Sequence, residues 1–184
     1  MGRAARRLLL RRRRHDRPAA PTMNRPLALA LSTEPRVTLR AAEPRDLEDL
    51  RVWKNANRKS FFFQSEITPE MQKTWYASYL LRPEDFMFIV EHKGRKVGCM
   101  GFRLQKDGSA DVYNIIVAPG GAGKGLMKAA MGLMCAHIAS HHTKDIGCLV
   151  LKGNPAVTFY EHCGFKNVAD AGDHIILKLE EGKA

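Results

Sequence analysis

From Val117 to Met127 the chain reads Val-Ala-Pro-Gly-Gly-Ala-Gly-Lys-Gly-Leu-Met, a glycine-rich passage between a strand-like run and a helical one. Such a turn has chemistry available to it. The first backbone N–H groups of a helix lack intrahelical acceptors and carry about half a unit of positive charge, so they hold an anion well, and glycines let a phosphate approach the main chain. Two phosphate-binding patterns do not fit. Lys124 is not followed by the Ser or Thr of a Walker-type loop, and Gly123-x-Gly125 is followed by Lys128 where a dinucleotide fingerprint has its third glycine. Taken alone, the turn is equally well a flexible connection. Other suggestive side chains carry less. His141 and His142 are adjacent, a spacing that rarely points two imidazoles at one ion. Neither they nor His162 have neighbours that complete a ligand set, so no metal is expected. Cys163 has no paired base and is not expected to be a nucleophile.

The hydropathy pattern supplies elements to position the turn. Val37 to Arg40 reads as a short strand, and Pro44 opens an amphipathic helix with Leu47, Leu50 and Trp53 at helical spacing. Thr68 is a cap and Pro69 a first helical residue, starting a helix to about Leu81. Phe86 to Glu91 and Lys96 to Leu104 are strands joined by a hairpin turn at Lys93-Gly94-Arg95. Ala110 to Val117 is another strand, with Asp111, Tyr113, Ile115 and Val117 expected on one face and Val112, Asn114 and Ile116 on the other. A helix is predicted from about Gly123 to Ser140, then a buried strand at Gly147 to Leu151. Asn154-Pro155 caps a short helix through about His162, Gly164 ends it, and strands at Phe165 to Val168 and His174 to Leu179 close the chain. Strands in the middle flanked by helices imply a mixed α/β (α+β) sheet covered on both faces.

The segment Asn154-Pro155-Ala156-Val157-Thr158-Phe159-Tyr160-Glu161-His162-Cys163-Gly164-Phe165 begins where that buried strand ends. In this order and separation, it and the glycine turn resemble the acyl-CoA-binding signatures of the GNAT superfamily of N-acyltransferases. The turn is similar to the family pattern Val-x-Pro-x-x-Arg-Gly-x-Gly, and the later segment to Asn-x-x-Ala-x-x-(Phe/Leu)-Tyr-x-x-x-Gly-Phe. Ala122 stands where the family usually has Arg or Gln, and Met127 where Gly or Ala is common. The phosphate contacts of this pattern come chiefly from backbone N–H groups, so the missing side chain weakens the grip without abolishing it. The element order resembles the GNAT fold over roughly residues 37–180, which implies a mostly antiparallel central sheet.

The resemblance implies acetyl-CoA as co-substrate and no metal. It places the pyrophosphate on the backbone of Ala122, Gly123, Lys124, Gly125, Leu126 and Met127. It lays the pantetheine arm along Ile115, Ile116 and Val117 as an added strand, with Asn154 capping its helix and bonding the arm. Tyr160 resembles the general acid that protonates the leaving thiolate. With a phenol near pKa ~10 and a thiol near ~8.5, full transfer is uphill by roughly 2 kcal/mol, so a hydrogen bond to the thiolate or a lowered tyrosine pKa must help. Asp111 aligns with a position where several relatives have a glutamate base, with Asn114 and ordered water as rivals, and the N–H of Ile116 or Val117 is the candidate oxyanion donor. Trp53, Asn55, Arg58 and Phe63 resemble the acceptor wall of the branch holding ribosomal-protein and nucleotide-linked amino-sugar acetyltransferases. The expected acceptor is therefore an activated amino sugar or a protein N-terminus.

Charge and composition bound the alternatives. The 184 residues carry a net charge of +11, but the first 25 hold nine Arg against one Asp, which leaves the remainder only +3. Residues 1–35 are expected to be a disordered Arg-rich tail, and residues 36–184 a GNAT-like domain. The apolar stretches after the arginines are too short for an export signal, and no run approaches the ~18 residues of a membrane span. Four scattered cysteines suit reduced thiols in a cytoplasm. Two rival readings are a CoA-binding protein with weak catalysis and an RNA-associated protein using the tail. Nucleic acid and membrane are not expected partners, and a homodimer is left open.

Overall fold

The longest apolar runs of the sequence become the middle of one sheet. The computed structural model describes residues 28–182, in which eight strands are ordered β1-β2-β3-β4-β5-β6-β8-β7. They are β1 (Ala28–Ala30), β2 (Thr38–Ala41), β3 (Asp85–His92), β4 (Arg95–Leu104), β5 (Ala110–Val117), β6 (Ile146–Leu151), β7 (Phe165–Asp170) and β8 (His174–Leu179). All neighbours are antiparallel except β5 and β6, which run parallel. The helices are α1 (Leu47–Ala56), α2 (Pro69–Leu80), α3 (Leu126–His141) and α4 (Ala156–His162). Both faces are covered. Along β3 the alternation of side chains sends Phe86, Phe88 and Val90 to the layer under α3 and α4, and Met87 and Ile89 to the layer under α1 and α2. No helix among the described residues is long and apolar enough to cross a membrane.

Four local outcomes differ from the sequence reading, each for a physical reason. Disorder was expected through about Pro35. Residues 1–27 lie outside the described residues, but Ala28–Ala30 pairs with β2, and Leu29 and Leu31 pack on the core, so the short apolar patch serves as an edge strand. Pro44 opens a single 3-10 turn, Pro44–Asp46, and α1 begins only at Leu47. The fully buried Asp46 carboxylate accepts the Glu43 N–H at 2.9 Å and pairs with Arg40 at 2.9 Å and Lys96 at 2.7 Å, tying β2 and β4 to the start of α1. The hairpin after β3 is a two-residue turn, Lys93 (φ 49°) and Gly94 (φ 73°), with Arg95 already in β4.

The fourth difference is the start of α3, at Leu126 rather than about Gly123. Gly123, Lys124 and Gly125 have φ of 91°, 57° and 67°, left-handed backbone that cannot continue into a right-handed helix. Ala122 to Gly125 are exposed, and no side chain caps the helix.

Candidate active site

The site exists because β5 and β6 separate. They pair at Ala110 with Ile146 and at Asp111 with Gly147, and no further. Beyond that root the two strands splay, leaving the β6-facing edge of Val112 to Val117 without a partner strand. A cavity of about 490 Å³ fills the gap, lined by β5, by Leu149 and Val150 of β6, by Asn154 to Ala156, and by Tyr160 of α4.

A β-bulge on β5 shapes the chemistry of this wall. Gly101 faces Tyr113 and Cys99 faces Ile116, so two residues, Asn114 and Ile115, oppose Met100 alone, and Asn114 takes φ 52°. The simple alternation expected from the sequence therefore fails. Tyr113 packs toward α1 and α2, Ile115 toward α3 and α4, and Ile116 returns to the first side. Asn114 accordingly lines both the large cavity and a second, apolar one of about 270 Å³ beneath α1 and α2. Lys54, Phe63 and Ile116 also line both. The second chamber is walled mainly by Leu50, Ile67, Met71, Trp75 and Met87, with Gln72 as a neutral polar group.

Tyr160 is nearly buried, stacked edge-on against Phe159 and Phe165. Burial, with neighbouring Cys148 and Asp111, holds its phenol well above the ordinary range, so the hydroxyl is a standing proton at neutral pH. A lowered phenol pKa, one of the two aids anticipated for the thiolate step, is absent, and a hydrogen bond remains. Asp111 sits at the root of the cleft opposite Arg103. Burial pushes its carboxyl up to about 6 despite the guanidinium.

Of the remaining anticipated residues, Ile115, Ile116 and Val117 line the large cavity. Ala122 to Met127 do not; they form the turn beyond the strand end and the first residues of α3, where Lys124 and Leu126 border a shallow depression with Pro35 and His92. Asn154 Oδ1 accepts the Ala156 N–H at 2.9 Å and its Nδ2 donates to the Ser60 carbonyl at 3.0 Å. The amide thus ties α4 to the segment that follows α1. That segment carries Phe61 to Phe63 across the cavity, with Phe62 edge-on to His174 of β8 at 5.7 Å.

The expected acceptor wall divides. Phe63 lines both cavities, whereas Trp53 is buried in the core under α1 and lines neither. Asn55 is occupied with the backbone of Ile67, at 2.9 and 2.8 Å, and pins the far end of the Phe segment. Arg58 reaches the Asn55 carbonyl at 3.3 Å and lines neither cavity. Lys54, which lies within the Trp53-Lys54-Asn55 run of the expected acceptor wall but has no role assigned from sequence, reaches both cavities. Its Nζ donates to Asn114 Oδ1 and lies 4.2 Å from the centre of the Phe61 ring, and burial pulls its pKa down to about 8. The available signal was its place one residue after the buried Trp53, at the margin of the apolar face of α1.

The family model described as acetyltransferase (GNAT) domain matches residues 36–166. Among solved structures, the chain is similar to apo FdhC, described as a nucleotide-linked sugar GNAT, with 17% identity, 85% of this chain and 89% of that chain covered, and TM-score 0.68. It is similar to a domain from Methanocaldococcus jannaschii, with 20% identity, coverage of 78% and 97%, and TM-score 0.67. It is also similar to the spermidine N-acetyltransferase of Vibrio cholerae in complex with CoA and spermine, with 24% identity, coverage of 77% and 92%, and TM-score 0.61. No curated protein matches the chain.

Proposed function

The chain belongs to the acetyltransferase (GNAT) family, and on that premise we propose that it is an N-acetyltransferase moving an acetyl group from acetyl-CoA to a primary amine by direct attack in a ternary complex. The observation that carries the reading is the meeting of two cavities, one open along a strand edge and one apolar, at Asn114 and Ile116. In this reading the unpaired edge of β5 receives the amides of the pantetheine arm. The left-handed turn at Gly123 to Gly125 and the uncapped N–H groups of α3 receive the pyrophosphate. The Ile116 N–H is turned toward Cys99 of β4, which leaves the Val117 N–H to support the developing oxyanion, and the Tyr160 hydroxyl donates a hydrogen bond to the departing sulfur. Asp111 keeps its charge on the coenzyme side of the cleft.

The acceptor enters from the apolar chamber. No carboxylate is among the residues lining that chamber, and Lys54 is one of them. This suits an amine on an uncharged or anionic body, such as an activated amino sugar or a protein N-terminus, better than a polycation. Thiol release from acetyl-CoA with a panel of amino sugars, peptides and polyamines, run beside calorimetric CoA binding, tests the assignment. Turnover with an amino sugar or N-terminus above that with spermidine is expected. CoA binding with no turnover on any amine would favour a catalytically silent CoA-binding protein, and no binding of any CoA species would remove both.

A further inference from the structure

Lys54 is out of place as a structural residue. It stands in the last turn of α1 with its ammonium drawn into the molecule, and among the described residues no carboxylate is bonded to it, whereas Lys96, Lys152, Lys166 and Lys178 all have one. A lysine at this depth without a counter-charge is disfavoured, and a methionine would fill the same volume at lower cost. The groups facing it are mostly uncharged at neutral pH. Asn114 accepts its hydrogen bond and Phe61 packs on it. Cys99 lies beneath, its thiol pushed up to about 12 by burial. Gln72 lines the apolar chamber with it, and Tyr160 and Asp111 line the larger cavity with it.

We infer that Lys54 is the catalytic base, taking the proton from the acceptor amine where the two cavities meet while Asn114 holds its Nζ in position. The inference rests on the N-acetyltransferase reading above. Geometry separates Lys54 from the other titratable candidate, because Asp111 lines the coenzyme cavity alone and Lys54 lines both. Its donor bond to Asn114 leaves the lone pair of the neutral amine for the acceptor. With burial drawing its pKa down to about 8, roughly a tenth of the molecules carry that lone pair at pH 7 and most above pH 9.

Neutral Lys54 removes one proton from the acceptor ammonium and becomes an ammonium itself. The freed nitrogen pair attacks the thioester carbonyl, forming the C–N bond and an oxyanion at the Val117 N–H. The oxyanion collapses, the C–S bond breaks with the Tyr160 hydroxyl hydrogen-bonded to the sulfur, and the thiolate takes the second nitrogen proton through water. Lys54 returns its proton to solvent.

The test uses the full chain, the variants Lys54→Met and Lys54→Arg, and the best amine from the panel. A ¹⁵N-lysine NMR titration, assigned by loss of the signal in Lys54→Arg, should place Nζ near pH 8. Lys54→Met should lose about 100-fold or more in kcat/KM at pH 7, the span expected of general-base catalysis, together with the rise in rate toward pH 8. Lys54→Arg should not restore it, added ethylamine should restore part of it, and calorimetric CoA affinity should stay within about twofold in both variants. An Nζ titrating near 10.5, or Lys54→Met with wild-type rates and pH profile, overturns the base alone. A wild-type chain that acetylates no amine overturns the N-acetyltransferase reading and the base together.

Discussion

Lys54→Met should make the protein more stable while removing a functional group. Burial draws the amine from its ordinary 10.5 to about 8, and each unit is about 1.4 kcal/mol, so holding the ammonium inside costs roughly 3 kcal/mol at any pH below 8. The lost hydrogen bond to Asn114 recovers part of this for the wild type, but the Asn114 amide borders both cavities and finds water there. A net gain of about 1–3 kcal/mol remains, or roughly 2–10 °C in Tm for a domain of this size. The pH dependence identifies the cause. Between pH 8 and 10.5 the unfolded chain binds the proton more tightly than the folded one, so wild-type stability rises through that window. The advantage of methionine is therefore full below pH 8 and gone above 10.5. Paired thermal melts of the two proteins at pH 7 and 10.5 measure this. A variant that is less stable at pH 7, or an advantage unchanged at 10.5, refutes the argument that desolvation sets the lysine's state.

Tyr160→Phe should lower turnover about 10- to 1000-fold with CoA affinity unchanged in calorimetry, since only a proton donor is removed. Gly123→Val places a β-branched residue at φ 91°, where no atom blocks its Cβ but the backbone is strained; CoA affinity should fall roughly tenfold or more as the turn relaxes and N–H groups are misdirected. Asp46→Asn should cost about 2–4 kcal/mol in urea melts at pH 7, because Arg40 and Lys96 lose their shared carboxylate. Burial alone would raise that carboxyl, yet bonds from Arg40, Lys96 and the Glu43 N–H hold it down to about 2, so the wild-type advantage is present above pH 3.8 and fades as pH falls toward 2.

Much of this architecture is written in local signals. Thr68-Pro69 starts α2 with the threonine side chain accepting the Met71 N–H at 3.2 Å, and Lys93-Gly94 makes the turn that such a pair favours. The apolar run Phe86 to Val90 is legible as a strand, and the structure buries it on both faces. What escaped was set by tertiary context. The bulge at Asn114 leaves no mark in a strand of otherwise regular apolar spacing, and it decides which side chains share the site. Asn55 and Trp53 have the residue types of a binding wall, yet one satisfies the Ile67 backbone and the other fills the core. Lys54 has no role legible from sequence because a lysine on an amphipathic helix is ordinarily solvated, and only the packing of Phe61 and Asn114 around it draws it inward.

The brief pairing of β5 with β6 also matters beyond ligand entry. Two rungs join the N-terminal five strands to the C-terminal three, so the seam between them is held mostly by side-chain packing, where Val112, Met134, Cys148 and Tyr160 share one apolar cluster. Amide hydrogen exchange is therefore expected to show the piece from β6 to β8 opening as a unit below the energy of global unfolding. Anything that bridges the seam with main-chain bonds stiffens the whole molecule.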